Sequence, residues 1–349
     1  MLKREDILKE EVRGLCLYGG VTVHDLIKQF DHMGGFMASH IARASEILIN
    51  MISDPHCTVF LSFTANLVAT GLRELIADIV KKRLIDIIVT TGGTIDHDIA
   101  RGAGGKYFRG DFNYDDAMLR ELEIHRLGNV LVPMESYGPI IEEFTFKALS
   151  RAVELKSEWS VSELLYFIGS MIDDENSILR QAYLNKVLVF SPGIVDSAFG
   201  TNIMFFRETM RSSGKKFILD IVADLKTLSD IVFGSKKLGA VILGGGISKH
   251  HVIWWSQFKE GLDYAVYITT AVEWDGSLSG AQPREAISWK KLKPSAKSVV
   301  VYGDATVVLP LVLAYVYKEL ELRRISRTIT SATRETIKKL ERLVKECTP

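Results

Sequence analysis

Hydrophobic residues recur along this chain in short β-branched runs, each closing on small or polar residues and followed by a helix-like pattern. Residues 58–63 (TVFLSF) run into Thr64-Ala65-Asn66, after which the pattern turns helical to about Arg83. Residues 85–91 (IDIIVTT) lead into Gly92-Gly93-Thr94, which reads as a loop. Residues 187–190 lead to Ser191-Pro192-Gly193, and residues 217–222 precede another helical stretch. Residues 240–243 end in Gly244-Gly245-Gly246, and residues 265–270 end near Glu273-Trp274-Asp275-Gly276. Residues 299–302 end in Gly303-Asp304, ahead of a long apolar helix from about Ala305. The first 50 residues and the last 25 read as helical, with residues 330–347 a charged surface helix.

Continuous apolar runs alternating with helices predict an α/β fold with a mainly parallel sheet, covered by helices on both faces. At 349 residues the chain is long enough for one large α/β domain or two modest ones, and it shows no linker, internal repeat or low-complexity tract; the reading adopted is one domain over residues 1–349. In such sheets the crevice at the carboxyl ends of the strands collects ligands. Every polar cluster named above sits at a strand's carboxyl end, which marks that edge as the candidate site.

Composition narrows the class. Hydrophobic residues make up 47% and charged residues 25%, the balance of a globular protein with a full core. Lys+Arg and Asp+Glu both number 43. Nucleic acids and anionic membranes select for a basic surplus, so neither is the expected partner. Three scattered cysteines, Cys16, Cys57 and Cys347, form neither a metal spacing nor a disulfide framework. The charged start MLKREDILKEEV has no apolar core of a signal peptide, and no long uncharged apolar stretch predicts a membrane span. A cytoplasmic setting is expected.

Several motifs carry chemistry. Three glycines after a strand let a backbone approach a pyrophosphate or ribose closely, although a tight turn uses the same residues. Neither GxGxxG nor GxxxxGK[ST] occurs, which disfavours the standard dinucleotide fingerprint and the P-loop. Asp96-His97-Asp98 and His250-His251 suggest a metal, but adjacent side chains diverge on a helix or strand and seldom ligate one ion together. A lone histidine beside a glycine loop suits proton transfer better. Trp289-Lys290-Lys291 follows Glu285 at helical spacing. A lysine in a partly dry pocket beside an aromatic plane can act as an amine nucleophile, while two solvated lysines on a helix end are the alternative. Trp254-Trp255 suits a packed core or a subunit interface, with ligand stacking as the alternative. Residues 275–280 (DGSLSG) suit either a ribose grip or a helix cap.

Taken together, the segments TANLVATGLRE (64–74), DIIVTTGGTIDHD (86–98), FSPGIVDSAFG (190–200), LGGGISKHH (243–251), WDGSLSGAQPREAISWKK (274–291) and YGDA (302–305) resemble deoxyhypusine synthases. RGDF (109–112), HRLGNVLVP (125–133) and GLDYAVYITTA (261–271) extend the resemblance from about Gly19 to Ala314, and the loops are similar to the archaeal branch. The resemblance implies a single Rossmann-like domain and NAD-dependent transfer of the aminobutyl group of spermidine. The group passes through a lysine imine to one lysine of the archaeal hypusine-containing translation factor. It implies Lys291 as the imine lysine and His250 as the proton-handling residue. Trp289, Glu285, Trp254 and Ser191 are implied for the polyamine. Asn66, Thr91, Gly92, Asp96, Asp196, Gly245, Gly246, Thr270, Ala271, Asp275, Ser279 and Asp304 are implied for NAD. A homotetramer with active sites shared across a dimer interface is also implied. The chain departs from the eukaryotic pattern at Thr201 and Leu278, which replace acids, at Gln282, which replaces an arginine, and at Trp254, which replaces a smaller polar residue. The alternatives are a homospermidine-forming transferase with a free diamine acceptor and an NAD-binding paralogue with altered chemistry. An agmatine-hydrolysing metalloenzyme is disfavoured because its paired Asp/His ligand clusters are missing.

Overall fold

The structure is a computed structural model, and it describes residues 3–4, 8–212, 214, 216–325, 327 and 330–345. Helices α1 (Val23–His32) and α2 (Phe36–Ser53) precede strand β1 (Cys57–Phe63), helix α3 (Leu72–Lys81), strand β2 (Ile87–Thr91) and helix α4 (Gly92–Gly102). A small antiparallel sheet follows, built from β3 (Phe108–Arg109), β4 (Ile124–Leu127) and β5 (Val130–Pro133), with helix α5 (Asp116–Glu121) between β3 and β4. Then come α6 (Gly138–Leu155), β6 (Glu158–Ser160), α7 (Val161–Met171), α8 (Ile178–Asn185), β7 (Leu188–Gly193) and α9 (Ala198–Ser212). The last part holds β8 (Ile218–Asp220), α10 (Ala223–Gly234), β9 (Lys237–Leu243), α11 (Gly246–Ser256) and β10 (Leu262–Thr269). Helix α12 (Pro283–Ser288), β11 (Leu292–Tyr302), α13 (Ala305–Leu322) and α14 (Ser331–Lys345) complete it.

Six strands form one sheet in the order β11-β10-β9-β1-β2-β7, and every neighbouring pair is parallel. Counted in chain order these strands run 3-2-1-4-5-6 from β7 to β11, the doubly wound order that places a crevice where the winding reverses. The reversal lies between β1 and β9, which pair from Cys57↔Lys237 to Phe63↔Leu243. Period-two alternation divides the sheet between two cores. Val59, Leu61 and Phe63 of β1 join Val241 and Leu243 of β9 on the face covered by α2, α3 and α13. Phe60, Ala240, Ile242, Ala265 and Tyr267 point the other way, into the layer of α10, α11 and α12. The predicted α/β class and two-sided cover are therefore present.

Three expectations change. The predicted strand over residues 217–222 shortens to β8 and leaves the main sheet to pair with β6. Ile221 and Val222 are exposed, and Asp220 accepts from the amides of Val222 and Ala223, which turns the chain into α10. From residue 8 onward the first helix begins at Val23, set by a capping box of Thr22 and Asp25, while residues 8–18 have no regular secondary structure and leave Leu8, Val12, Leu15, Leu17 and Tyr18 exposed. Gly92-Gly93-Thr94 is not a loop but the first turn of α4, entered directly from β2. A Cβ on Gly92 would lie 2.6 Å from that of Ser197. The C-terminal helix ends its described span at Lys345, and Cys347 lies outside the described residues.

Candidate active site

The crevice at the β1/β9 reversal is floored by backbone. Thr64, Asn66 and Leu67 follow β1, Gly244, Gly245 and Gly246 follow β9, and Thr269, Thr270 and Ala271 close β10. Ser279, Gly303, Asp304 and Ala305 complete a cleft of about 510 Å³. Gly244 and Gly246 hold φ of +81° and +66°, a region that glycine enters without a Cβ clash. Gly245 is extended instead, and glycine is required there by proximity: an added Cβ would meet the Ser279 Oγ at 2.1 Å and its Cα at 2.4 Å. Asp304 caps α13, its Oδ1 accepting from the Thr306 amide at 2.8 Å. The floor thus offers glycine backbone, hydroxyls and the capped end of a helix, a surface suited to a phosphate- and ribose-bearing cofactor.

Leu278, next to Ser279 in the chain, lines a second pocket of about 200 Å³ together with Lys249, Tyr267, Glu285, Trp289 and Lys291 among others. The chain delivers Lys291 to it by a helix-ending turn. The Lys290 amide donates to the Ile287 carbonyl at 3.0 Å and the Lys291 amide to the Ala286 carbonyl at 2.9 Å, with Lys290 left-handed at φ +56°. This is a Schellman motif that carries lysine where glycine is usual. The Lys291 carbonyl then accepts from the Leu262 amide at 3.1 Å and from the Ser256 hydroxyl at 2.9 Å. Its backbone is held by three elements, while its Nζ sits 5.2 Å from the Trp289 ring centroid.

His250 stands on α11 with its ring stacked on Trp254, 5.7 Å between centroids. Partial burial, and then the nearby Lys291 cation, lower its pKa below the ordinary histidine value. It is therefore poised as a neutral base near pH 7. The aromatic rim stays open: Trp289 is 63% exposed and Trp254 is 44% exposed.

The family model of deoxyhypusine synthase matches residues 25–316. The chain belongs to the deoxyhypusine synthase family. It is 55% identical over 313 residues to the "Probable deoxyhypusine synthase" of Sulfurisphaera tokodaii, covering 90% of this chain and 99% of that one. Over 320 residues it is 51% identical to the protein of the same name from Ignicoccus hospitalis, at 92% and 99% coverage. Its fold is similar to the crystal structure of "a putative deoxyhypusine synthase from Entamoeba histolytica", with a TM-score of 0.59 and 23% identity over 88% of this chain and 97% of that one.

The positions that the family resemblance implies fall into three groups. Asn66, Gly245, Gly246, Thr270, Ala271, Ser279 and Asp304 line the cleft, and Glu285, Trp289 and Lys291 line the second pocket. Thr91, Gly92 and Asp196 lie at or beyond the carboxyl ends of β2 and β7, on the same edge of the sheet but outside the cleft lining. Ser191 is buried within β7, its hydroxyl without a hydrogen-bond partner among the described residues. Asp275 is exposed and caps its own turn, accepting from the Ser277 amide at 2.6 Å.

Asp96 is not among the cleft residues in this chain. Its carboxylate accepts from the Ala198 and Phe199 amides at 2.9 and 2.8 Å and from the Tyr137 hydroxyl at 3.0 Å, which occupies it in capping α9. Burial nonetheless raises its pKa against those hydrogen bonds. The neighbouring His97 bonds the Tyr107 hydroxyl, and Asp98 bonds Arg73, so the three side chains diverge as helical spacing requires. Thr201 also stands apart from the second pocket, its hydroxyl turned onto the Ser197 carbonyl, whereas Leu278 does line it.

One site residue escaped the reading of the sequence. Lys249, only 1% exposed, is the buried charged member of the second pocket. Its signal was the spacing Lys249, Ile253, Ser256 on the buried face of α11, at i, i+4 and i+7.

Proposed function

We propose that this chain catalyses deoxyhypusine formation: NAD-dependent transfer of the aminobutyl group of spermidine, through an imine on Lys291, to one lysine of the archaeal hypusine-containing translation factor. The observation that supports this reading is the placement of Lys291 in an open pocket with Glu285 and Trp289, linked to the glycine-floored cleft through the adjacent residues Leu278 and Ser279.

Gly244, Gly245 and Gly246, with Thr270, Ser279 and Asp304, are the residues that would hold NAD. NAD bound there supplies the acceptor for the donor's hydride and later returns it. Glu285 is the carboxylate of the pocket and holds an ammonium end of the amine. Trp289 and Trp254 present ring faces on which a cationic chain can rest. The Lys291 amine attacks the oxidised carbon and diaminopropane leaves, with His250 accepting and returning the protons that these steps move. The acceptor lysine then displaces Lys291. We further read the protein as a cytoplasmic homotetramer, whose partner subunit would cover the exposed Trp289 and Trp254.

Borohydride trapping after a single turnover with NAD and labelled spermidine, without acceptor, tests the proposal. Label is expected on the wild type and not on Lys291→Ala. NADH formation with no trapped label would remove Lys291 from its role. Transfer to putrescine, but not to the translation factor, would favour a homospermidine-forming enzyme instead.

A further inference from the structure

Lys249 has a setting unlike that of any other residue lining the second pocket. Its Nζ donates to the Ala281 carbonyl at 2.8 Å and lies 4.4 Å from the centroid of the Tyr267 ring. Tyr267 is itself buried, and its hydroxyl has no hydrogen-bond partner among the described residues. An ammonium has three N–H donors: the Ala281 carbonyl accepts one and the Tyr267 ring face favours the cation, but no second hydrogen-bond acceptor reaches it among the described residues. Burial lowers the Lys249 pKa from 10.5 to about 8, and Glu285 is the charge that acts in the opposite direction.

The other neighbours do not change that balance. Strands β1, β2 and β7, which pack on α11, carry no lysine, arginine, aspartate or glutamate, and β9 carries only Lys237, paired with Asp54. On α10, Lys226 pairs with Asp230 and Asp224 bonds Ser162, while Lys259 beyond α11 donates to the Phe233 carbonyl. Lys291 and Tyr267 share the pocket, and His250 and His251 lie on the same helix, where burial depresses both imidazoles.

Among the described residues, Glu285 is the only carboxylate that lines this pocket. With Lys249 and Lys291 both charged, the lining carries a net positive charge, and an entering ammonium meets repulsion in a partly dry space. A neutral Lys249 reverses this. Its nitrogen keeps its donation to Ala281 and gains a lone pair that accepts a charge-assisted hydrogen bond.

We propose that Lys249 is a specificity-determining residue of the donor pocket: its neutral amine accepts a hydrogen bond from the terminal ammonium of an aliphatic polyamine, so that donor binding displaces a proton from the enzyme. This rests on reading the Lys291 pocket as the donor site. The ligand class is a chain ending in a primary ammonium, and a polyamine end that is acetylated is excluded from the site because its amide nitrogen is neutral.

The test is the donor KM at saturating NAD between about pH 6 and about pH 9.5, with calorimetric proton release in buffers of different ionisation enthalpy. In the wild type, KM for spermidine is expected to fall about tenfold per pH unit below about pH 8 and then level off. Release of about one proton is expected at pH 7 and of none near pH 9.5. Lys249→Met should lose both the slope and the release. Lys249→Arg, a permanent cation, should hold KM at least about tenfold higher near pH 9 with kcat little changed. A slope that persists in Lys249→Met belongs to Lys291 or to the donor and overturns the proposal. If that variant fails to fold, absence of proton release from the wild type at pH 7 overturns it alone. Borohydride trapping on the wild type separates the two readings: without label the donor site itself is misassigned, and with label only the role of Lys249 is at stake.

Discussion

A Cβ placed on Gly245 would lie 2.4 Å from the Cα of Ser279, so the loop after β9 and the loop before α12 touch backbone to backbone. Gly245 and Ser279 line the glycine-floored cleft, while Leu278, next to Ser279 in the chain, lines the Lys291 pocket. Gly245→Ala must push the Ser279 loop away and widen the cleft. We expect NAD affinity to fall by at least about tenfold, read by fluorescence titration or calorimetry. Adding Ser279→Ala should not restore it, because the main chain at residue 279 still stands in the way. Restoration would show that the hydroxyl alone is in conflict.

Lys290 and Lys291 are adjacent but do different things. Lys290 occupies a left-handed position that ends α12, so Lys290→Gly relieves strain while loosening the unfolded chain, and stability should change by less than about 1 kcal/mol. A β-branched Lys290→Val should cost about 1–2 kcal/mol at the same position. Both variants should retain the borohydride-trapped label on Lys291. Loss of label in Lys290→Gly would move the imine assignment to Lys290.

The buried Lys249 also predicts a stability signature. Its folded pKa, about 8, lies below the unfolded value of 10.5, so between these limits the unfolded chain binds more protons and stability rises with pH. The penalty is constant below the folded value and is relieved above the unfolded one, by about 3 kcal/mol in all. Urea denaturation should therefore show the advantage of Lys249→Met over wild type shrinking between about pH 7 and about pH 10.5. A constant difference would mean that the lysine stays charged in the native state.

Asp98 is a buried junction. It accepts from Arg73 at 2.7 Å, from the Ser177 hydroxyl at 2.8 Å and from the Ile178 and Leu179 amides at 3.1 and 2.8 Å. Asp98→Ala removes the more buried of the two carboxylates that pair with Arg73 and uncaps α8, a loss of about 3–5 kcal/mol. Thermal unfolding should show it, whereas a minor Tm change would mean that Asp174, the other partner of Arg73, suffices.

Leu278 is an apolar wall of a pocket whose described lining holds a single carboxylate. Leu278→Asp should lower the KM for spermidine by roughly threefold to tenfold, since a second carboxylate gives the ammonium a charge-assisted partner. An unchanged KM would place the distal amine away from Leu278.

The fold was largely legible because the main strands, such as residues 58–63 and 240–243, are short β-branched runs buried on both faces. The run over residues 217–222 misled because local pattern does not say which sheet a strand joins, and only the pairing of Ile218–Asp220 with Glu158–Ser160 does. Asp96 shows a related limit of local pattern. A carboxylate beside a glycine-rich segment suits a ligand or a helix cap equally, and its hydrogen bond to the start of α9, 102 residues away, is not legible in local spacing.

What the sequence determined by itself was the alternation of strands and helices, the polar and glycine residues at the strand ends, and family membership. Each rests on residue type and local spacing. The tertiary structure decided which strand ends meet, because the reversal between β1 and β9 joins segments far apart in the chain. It also decided that Lys249 is buried beside Lys291. A lysine's charge state follows from its solvent access and neighbours, and both are set by packing between α11, β10 and α12.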